Sequence, residues 1–499
     1  MGKKGHGKSG GRGKVQESSN ETSAPRKLSR QKRNELNQVL EKLLKVSTSV
    51  PLSPNASREW ESHLEIDRLL QKVNQLEAAM KIPPEKERTG CTERLLSWAV
   101  ANGAEVRGVK VTHFPNYGLG LQAERDISEG ELVVAIPRHI MLTTDTARKS
   151  PILGPLIRED TMLQHMPNVA LSLLLLVERF STDSFWRPYV EALPKAYTTV
   201  LYFTTQELQE LKGSPVLEPA LKQCRNIARQ YAYFSKLFQS NSDPASEMLK
   251  DIFTYELYCW AVSTVMTRQN FVPSADGGAM LNALIPVWDM ANHDNGALST
   301  DFSPTQNRSE CFAFRNFTAG EQVFIHYGVR PNSDLFVHMG FVFPDNEHDC
   351  VRLRLGVSRS DALAAERISL LARLGLPSAG DFALRPGPDP VEGRLLAFLR
   401  VFSMNKDQLQ HWMESEKVCD LVYDDCALET ELESRTWNFL YTRIQLLLSA
   451  YPTTLKVDEE LLAKRSSLSP CHAAAVEMRA CEKRILHNAL EYVSQRTHT

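Results

Sequence analysis

Leu36, Val39, Leu40, Leu43 and Leu44 recur at helical spacing, which predicts an amphipathic helix over residues 31–46. Trp60, Leu64, Ile66, Leu69, Leu70, Val73 and Leu76 repeat the pattern after a loop containing Pro51 and Pro54. A short helix over 92–102 follows Pro83-Pro84, with Gly103 as its C-cap. The period then changes. Val109, Val111 and His113, and then Leu119-Gly120-Leu121, read as short strands around the turn Asn116-Tyr117-Gly118. Leu132 to Ile136 reads as a buried strand stopped by Pro137. Residues 145–270 are expected to be mainly helical, with an apolar run at 169–177 and an aromatic segment at 229–234. The last helix of this stretch carries Trp260, Val262, Val265 and Met266 on one stripe and ends in Thr267-Arg268-Gln269-Asn270. Strands are predicted over 311–317, 322–327 and 351–355, with a helix over 332–340 ended by Gly340. Beyond 358 only helices are expected, over 362–374, 393–402, 428–451 and 473–493.

At 499 residues there is room for two or three domains, and 42% hydrophobic with 24% charged residues is an ordinary globular balance. Residues 1–30, rich in Gly, Ser, Lys and Arg, cannot bury enough to offset chain entropy and are expected to be disordered. Their basic run reads as a nuclear import signal, an anion-binding arm or a plain solubilising tail. A net charge of −2 argues against wholesale nucleic-acid binding. The nine cysteines contain no C-x-x-C pair, so neither a disulfide framework nor a zinc site is expected. With no apolar run of about twenty residues, a soluble intracellular protein is expected, without a membrane role. Position 6 is His6, which does not suit a myristoylation motif.

The chemistry concentrates in two places. Trp288-Asp289-Met290-Ala291-Asn292-His293 follows an apolar run, and Gly320 to Gly328 is an alternating strand that ends in Tyr327-Gly328. Taken singly, Trp288 reads as a core residue, Asn292-His293 as a polar turn and Tyr327 as a strand end. Gly118-Leu119-Gly120 is weak evidence for a nucleotide, because no Rossmann helix follows it.

In order, these motifs resemble the SET-domain methyltransferases, in the branch typified by the plant Rubisco large-subunit methyltransferase. The likeness covers roughly 88–495. Within the branch, residues 229–234, 260–270, 285–293 and 320–328 are most similar to members that methylate a histidine of actin. The departure from other SET enzymes is Asn292-His293-Asp294, where many have Asn-His-Ser, and the lack of a cysteine-rich zinc knot after Tyr327. The resemblance implies an α+β fold: a SET domain of small β-sheets with a knot-like crossing and a helical insert, then an all-α substrate-binding domain. The expected divisions are a tail at 1–30, a helical segment at 31–104, the SET domain at 105–358 with its insert at about 145–270, and the helical domain at 359–499.

The resemblance also implies residue roles. S-adenosyl-L-methionine would be the cofactor, leaving S-adenosyl-L-homocysteine, with no metal. Asn292 and His293 would hold its adenine, in a loop formed with Asp289, Met290 and Ala291. Met339, Gly340 and Phe341 would close over the adenine. Tyr117, Gly118 and Leu119 would approach the methionine end, and Arg88 and Arg268 would pair with its carboxylate or line its pocket. Tyr327 would orient the acceptor at the methyl channel, and Asn270 would bond the non-reacting nitrogen of an imidazole. Trp288 would bound that ring, and Arg229, Gln230 and Arg330 would line a groove for actin. A cytoplasmic monomer, also nuclear, is expected. Two alternatives stay open: a lysine methyltransferase with the same cofactor site, and a catalytically silent binding module.

Overall fold

A computed structural model describes residues 27–49, 56–80, 90–426 and 428–497. Of the tail expected to be disordered, residues 27–30 are described and ordered, and the rest lies outside the described residues, as do the proline loop at 50–55 and Arg88. Helix Arg30–Thr48 begins where Ser29 accepts the N–H of Lys32 at 3.4 Å. It turns Leu36, Val39, Leu40 and Leu43 inward against helices Ala56–Leu76 and Leu217–Ser240. The third expected helix is Cys91–Ala101, followed by Gly103 at positive φ.

Thirteen strands follow among the described residues: β1 (Glu105–Val106), β2 (Val109–Phe114), β3 (Gly118–Ala123), β4 (Leu132–Pro137), β5 (Leu142–Thr143), β6 (Gln269–Pro273), β7 (Met280–Leu284), β8 (Asn292–His293), β9 (Thr300–Ser303), β10 (Arg308–Phe312), β11 (Gln322–Ile325), β12 (Val351–Gly356) and β13 (Ala379–Leu384). They form four small sheets, ordered β1-β4-β10-β9, β2-β3-β11-β8, β5-β7-β6 and β12-β13. Every pairing is antiparallel except β8 with β11, where Asn292 lies beside Phe324 and His293 beside Ile325. That parallel contact brings together two segments that are distant in sequence, and the candidate site grows from it.

Glycine explains how tightly the second sheet closes. A Cβ at Gly120 would overlap Gln322 Oε1 and stand 2.9 Å from Asn292 Nδ2. The second glycine of the Gly-x-Gly therefore serves close approach between strands, as a missing side chain does.

Between β5 and β6 runs the helical insert. Its helix Pro167–Phe180 is buried at every position from 169 to 177, which is why that stretch shows no polar face. Helix Tyr255–Arg268 stops earlier than the spacing predicts. Gln269 turns to extended φ and ψ, and Asn270 sits on β6 opposite Ala283 of β7, so the polar residues expected at a helix end divide between helix and strand. The strand expected over 311–317 is also corrected: β10 runs from Arg308 to Phe312, a register shift after Cys311 breaks its ladder, and Phe317 makes only an isolated bridge to Ile127.

The C-terminal part is not wholly helical. β12 alternates buried and exposed residues and pairs with β13, whose Phe382 and Leu384 join Val351 and Leu353 in a second core. Gly380 and Asp381 interrupt the apolar alternation of β13, which hid it in the sequence. The expected helices are present as Ala364–Arg373, Gly393–Ser403, Thr430–Ala450 and Pro470–Thr497, and the capped helices Lys406–Glu414 and Leu455–Leu462 are additional. Helix Pro470–Thr497 belongs to two cores. Its later residues Ile485, Leu486 and Ala489 line the second, and Ala474, Ala475 and Met478 close a third with Val200, Leu208, Leu211 and Phe336.

Candidate active site

After β7 the chain makes an unusual turn. Val287 has φ 68° and ψ −51°, and the Trp288 N–H donates to Pro286 O at 2.8 Å. This is a γ-turn of positive φ on a β-branched residue, a conformation that costs on the order of 1–3 kcal/mol. A single 3₁₀ turn, Trp288–Met290, leads into β8. Trp288 is 5% exposed and its indole N–H has no protein partner.

Tyr327, two residues beyond β11, grips this segment twice. Its main-chain N–H donates to His293 Nδ1 at 3.1 Å, and its hydroxyl donates to Ala291 O at 2.7 Å. Burial pushes the phenol up to about 12, with Arg268 pulling down and Asp289 pushing up. His293 is pulled down to about 4 by burial and then by His326. Phe343 meets its ring edge-on at 5.2 Å and Phe341 lies at 6.2 Å.

Asp289 carries a buried network. Its Oδ2 accepts the Tyr189 hydroxyl at 2.6 Å and faces Arg268 Nη1 at 3.2 Å, and the same Nη1 donates to Asp289 O at 2.6 Å. Burial opposes the guanidinium charge, but Asp289 and the phenols of Tyr197 and Tyr189 outweigh it, leaving Arg268 above its ordinary value. Arg268 Nε and Asp289 Oδ1 have no partner in the protein. Asn270 Nδ2 donates to Arg268 O at 3.2 Å. Asn292 Nδ2 donates to Leu119 O at 3.1 Å and to Gln322 Oε1 at 2.7 Å, tying β8 to β3. Tyr117, on the turn before β3, meets Phe324 edge-on at 5.5 Å. Gly340 ends the 335–339 turn at φ 76°, where a Cβ would stand 2.7 Å from Thr199 N, and its carbonyl accepts the Thr198 hydroxyl at 2.5 Å.

Among the residues singled out in the sequence, the hydrogen bonds join Leu119 with Asn292, Ala291 and His293 with Tyr327, and Asp289 and Asn270 with Arg268. Met290 is buried within the turn, Phe341 faces the Tyr327 and His293 rings, and Met339 lies half-buried beside Gly340. Arg268, expected to pair with a cofactor carboxylate or to line its pocket, holds Asp289 with its Nη1. Gln230 is another residue expected to line a groove. It is 7% exposed and its amide oxygen accepts the Tyr258 hydroxyl at 2.8 Å, between two helices. Arg229 reaches Asn226 at 3.3 Å, and Arg330 Nε donates to Tyr327 O at 3.2 Å. Tyr189 and Gln322 join the site through these contacts without having been among the residues marked out in the sequence. No local motif marks Tyr189, whose partner is about a hundred residues away. For Gln322 the signal was the neighbouring glycine pattern. Among the described residues no group of three or more His, Cys, Asp and Glu is placed to hold a metal ion, and no helix is long and apolar enough to cross a membrane.

Two families match the chain in the order of its two parts: the SET domain over residues 118–328 and the Rubisco LSMT substrate-binding domain over 358–486. The chain belongs to the SET-domain methyltransferases that carry this substrate-binding domain. It is 40% identical over 443 residues to the Actin-histidine N-methyltransferase of Canis lupus familiaris, covering 88% of this chain and 75% of that protein. The Homo sapiens protein of the same name is also 40% identical, with 88% and 74% covered. Among solved structures, the SET domain of LSMT bound to lysine and AdoHcy superposes with TM-score 0.63 at 22% identity, over 82% of this chain and 91% of that one. Rubisco LSMT bound to AdoMet gives 0.62 at 23%, over 82% and 92%.

Proposed function

We propose that the chain is a protein-histidine N-methyltransferase that transfers a methyl group from S-adenosylmethionine to a histidine of actin. The observation that carries histidine is the orientation of Asn270. Its Nδ2 donates to Arg268 O, which turns Oδ1 the other way as an acceptor. A neutral imidazole has one N–H and one lone-pair nitrogen. An acceptor opposite the N–H selects the tautomer whose other nitrogen is free to attack, a demand that a lysine amine does not make. The name shared by the relatives at 40% identity supports actin as the protein that bears this histidine.

The residues fit the cofactor. Arg268 Nε and Asp289 Oδ1 are a buried donor and acceptor without partners, the complement of an amino-acid carboxylate and ammonium. Gly118, at φ 73°, has open space where a Cβ would stand, so main chain there can be approached closely. Asn292, His293, Met339, Gly340 and Phe341 would hold the adenine, and Tyr117, Gly118 and Leu119 the methionine end. When bound, S-adenosylmethionine supplies an electrophilic methyl group on a sulfonium.

The rest is done by this chain's side chains, by position and exclusion of water. Because Ala291 O takes the Tyr327 hydroxyl hydrogen, the phenol offers oxygen lone pairs to whatever lies before it. Its raised pKa keeps it neutral, so its part is orientation and not proton removal. Trp288 bounds the ring plane of the acceptor, and Arg229 and Arg330 contact the flanking actin segment.

The test is transfer of labelled methyl from S-adenosylmethionine to actin and to actin with its acceptor histidine replaced by alanine. Label is expected on the first and not on the second. Undiminished label on the second overturns the histidine reading.

A further inference from the structure

We infer that Tyr189, on the short helix Arg187–Ala192 of the insert, is a positioning residue for methyl transfer, acting through the Asp289 carboxylate. This rests on the reading of residues 288–293 as the reaction centre.

Val287 at φ 68° persists only if its surroundings over-determine it. The main-chain bonds nearby, from Trp288 N–H to Pro286 O, Asp289 N–H to Ile285 O at 3.2 Å and Met290 N–H to Val287 O at 3.0 Å, lie within the turn and move with it. Tyr327 holds the segment just beyond the turn, at Ala291 O and His293 Nδ1, and the side-chain restraints on the turn itself converge on Asp289. Arg268 brings one, but it is only two residues from Asn270 and bonded to it through its carbonyl, so it shares any motion of the acceptor pocket. Tyr189 brings the other, from a separate element.

Tyr189 is suited to that work. Its side chain is fully buried, so the phenol has no water to turn toward. Its bond to Oδ2 is short, at 2.6 Å, as charge-assisted O–H···O⁻ bonds are. Burial and then the Asp289 charge both raise its pKa well above the ordinary value, so the hydrogen stays on the phenol.

Asp289 stands between the two halves of the site. On one side of it is Trp288, and two residues on the other is Ala291, whose carbonyl orients the Tyr327 hydroxyl. A shift of the turn therefore displaces the wall of the acceptor pocket and the phenol together. Tyr189 fixes both from the insert without touching either substrate.

The test is Tyr189→Phe, which keeps the ring and removes the hydroxyl, measured alone and combined with Tyr327→Phe. Loss of one hydrogen bond to a charged group predicts a kcat for actin lower by about tenfold in the single variant, with KM for actin and for S-adenosylmethionine changed much less. In the Tyr327→Phe background the same change is expected to cost clearly less than tenfold, because one of the two groups it positions is already gone. Losses that multiply in the double variant, or an unchanged kcat in the single one, overturn the proposal. Hydrogen exchange gives a second readout that needs no turnover: the amides of residues 288–291 are expected to exchange faster in Tyr189→Phe, with the rest of the SET domain unaltered. Unaltered exchange there overturns the clamp even if actin proves not to be the substrate. If Tyr189→Phe does not fold, Asp289→Asn, which weakens the same bond while keeping its shape, is measured by hydrogen exchange alone, without cofactor: faster exchange at 288–291 supports the clamp and unaltered exchange overturns it.

Discussion

The main-chain N–H of Tyr327 donates to Nδ1 of His293 at 3.1 Å, and the two rings stack with centroids 5.1 Å apart. A ring nitrogen that accepts a hydrogen bond carries no proton, so this contact requires neutral His293. Burial first, and His326 second, lower its pKa from 6.5 to about 4. Between those values the unfolded chain binds a proton here that the folded chain refuses. This group's contribution to stability therefore rises with pH across the window and is lost as pH falls through it. The expected outcome is a melting temperature that declines from pH 6.5 toward pH 4, with that decline flattened in His293→Asn. Scanning fluorimetry over that range checks it.

Gly120 faces Gln322 and Asn292 with no room for a methyl group. Gly120→Ala must push the Gln322 amide aside, and with it goes the 2.7 Å bond that steadies Asn292. Side-chain ends yield more readily than backbone, so the fold survives with a small loss. The expected result is a melting temperature lower by a few degrees and an affinity for S-adenosylhomocysteine weaker by about tenfold, in line with one lost hydrogen bond. Calorimetric titration measures the second. Unaltered affinity would show that Asn292 takes no part in holding the cofactor.

Glu482 lies at the joint between insert and helical domain. Ser214 donates to its Oε1 and Tyr451 to its Oε2, each at 2.9 Å. Burial raises its pKa to about 7 against the opposing pull of those hydroxyls. Here the sign is reversed: between 4.5 and 7 the folded chain holds the extra proton, so this group's contribution falls as pH rises. Glu482→Gln, which mimics the neutral form, is expected to raise the melting temperature at pH 8 by a few degrees and to change it little at pH 5. The difference between the two melts is the measurement.

Much of the site was legible because two short segments carry it. Residues 288–293 and 320–328 are each contiguous, so their order shows in the sequence even though their parallel contact does not. Asn270 was read on the wrong element, since the apolar stripe of Trp260 to Met266 gives no sign that β7 will claim the next residues as a strand. Gln230 was placed at a groove by resemblance alone, and nothing in the sequence around it shows that the Tyr258 hydroxyl would meet its amide oxygen inside the fold. Tyr189 was invisible. Its importance depends on where one phenol ends in space, and no periodicity encodes that. β13 was missed for the opposite reason, since Gly380 and Asp381 broke a local signal that pairing with β12 makes unnecessary.

The double allegiance of helix Pro470–Thr497 bears on how the chain is born. Leu208, Leu211 and Val216 of the insert are sealed by Ala474, Ala475 and Met478, which are made about 250 residues later. At translation rates of about 5–20 residues per second, that apolar face stays uncovered for roughly 12–50 s. The catalytic half therefore leaves the ribosome unfinished, exposed to chaperones and to its own kind, and is completed only when the last helix arrives.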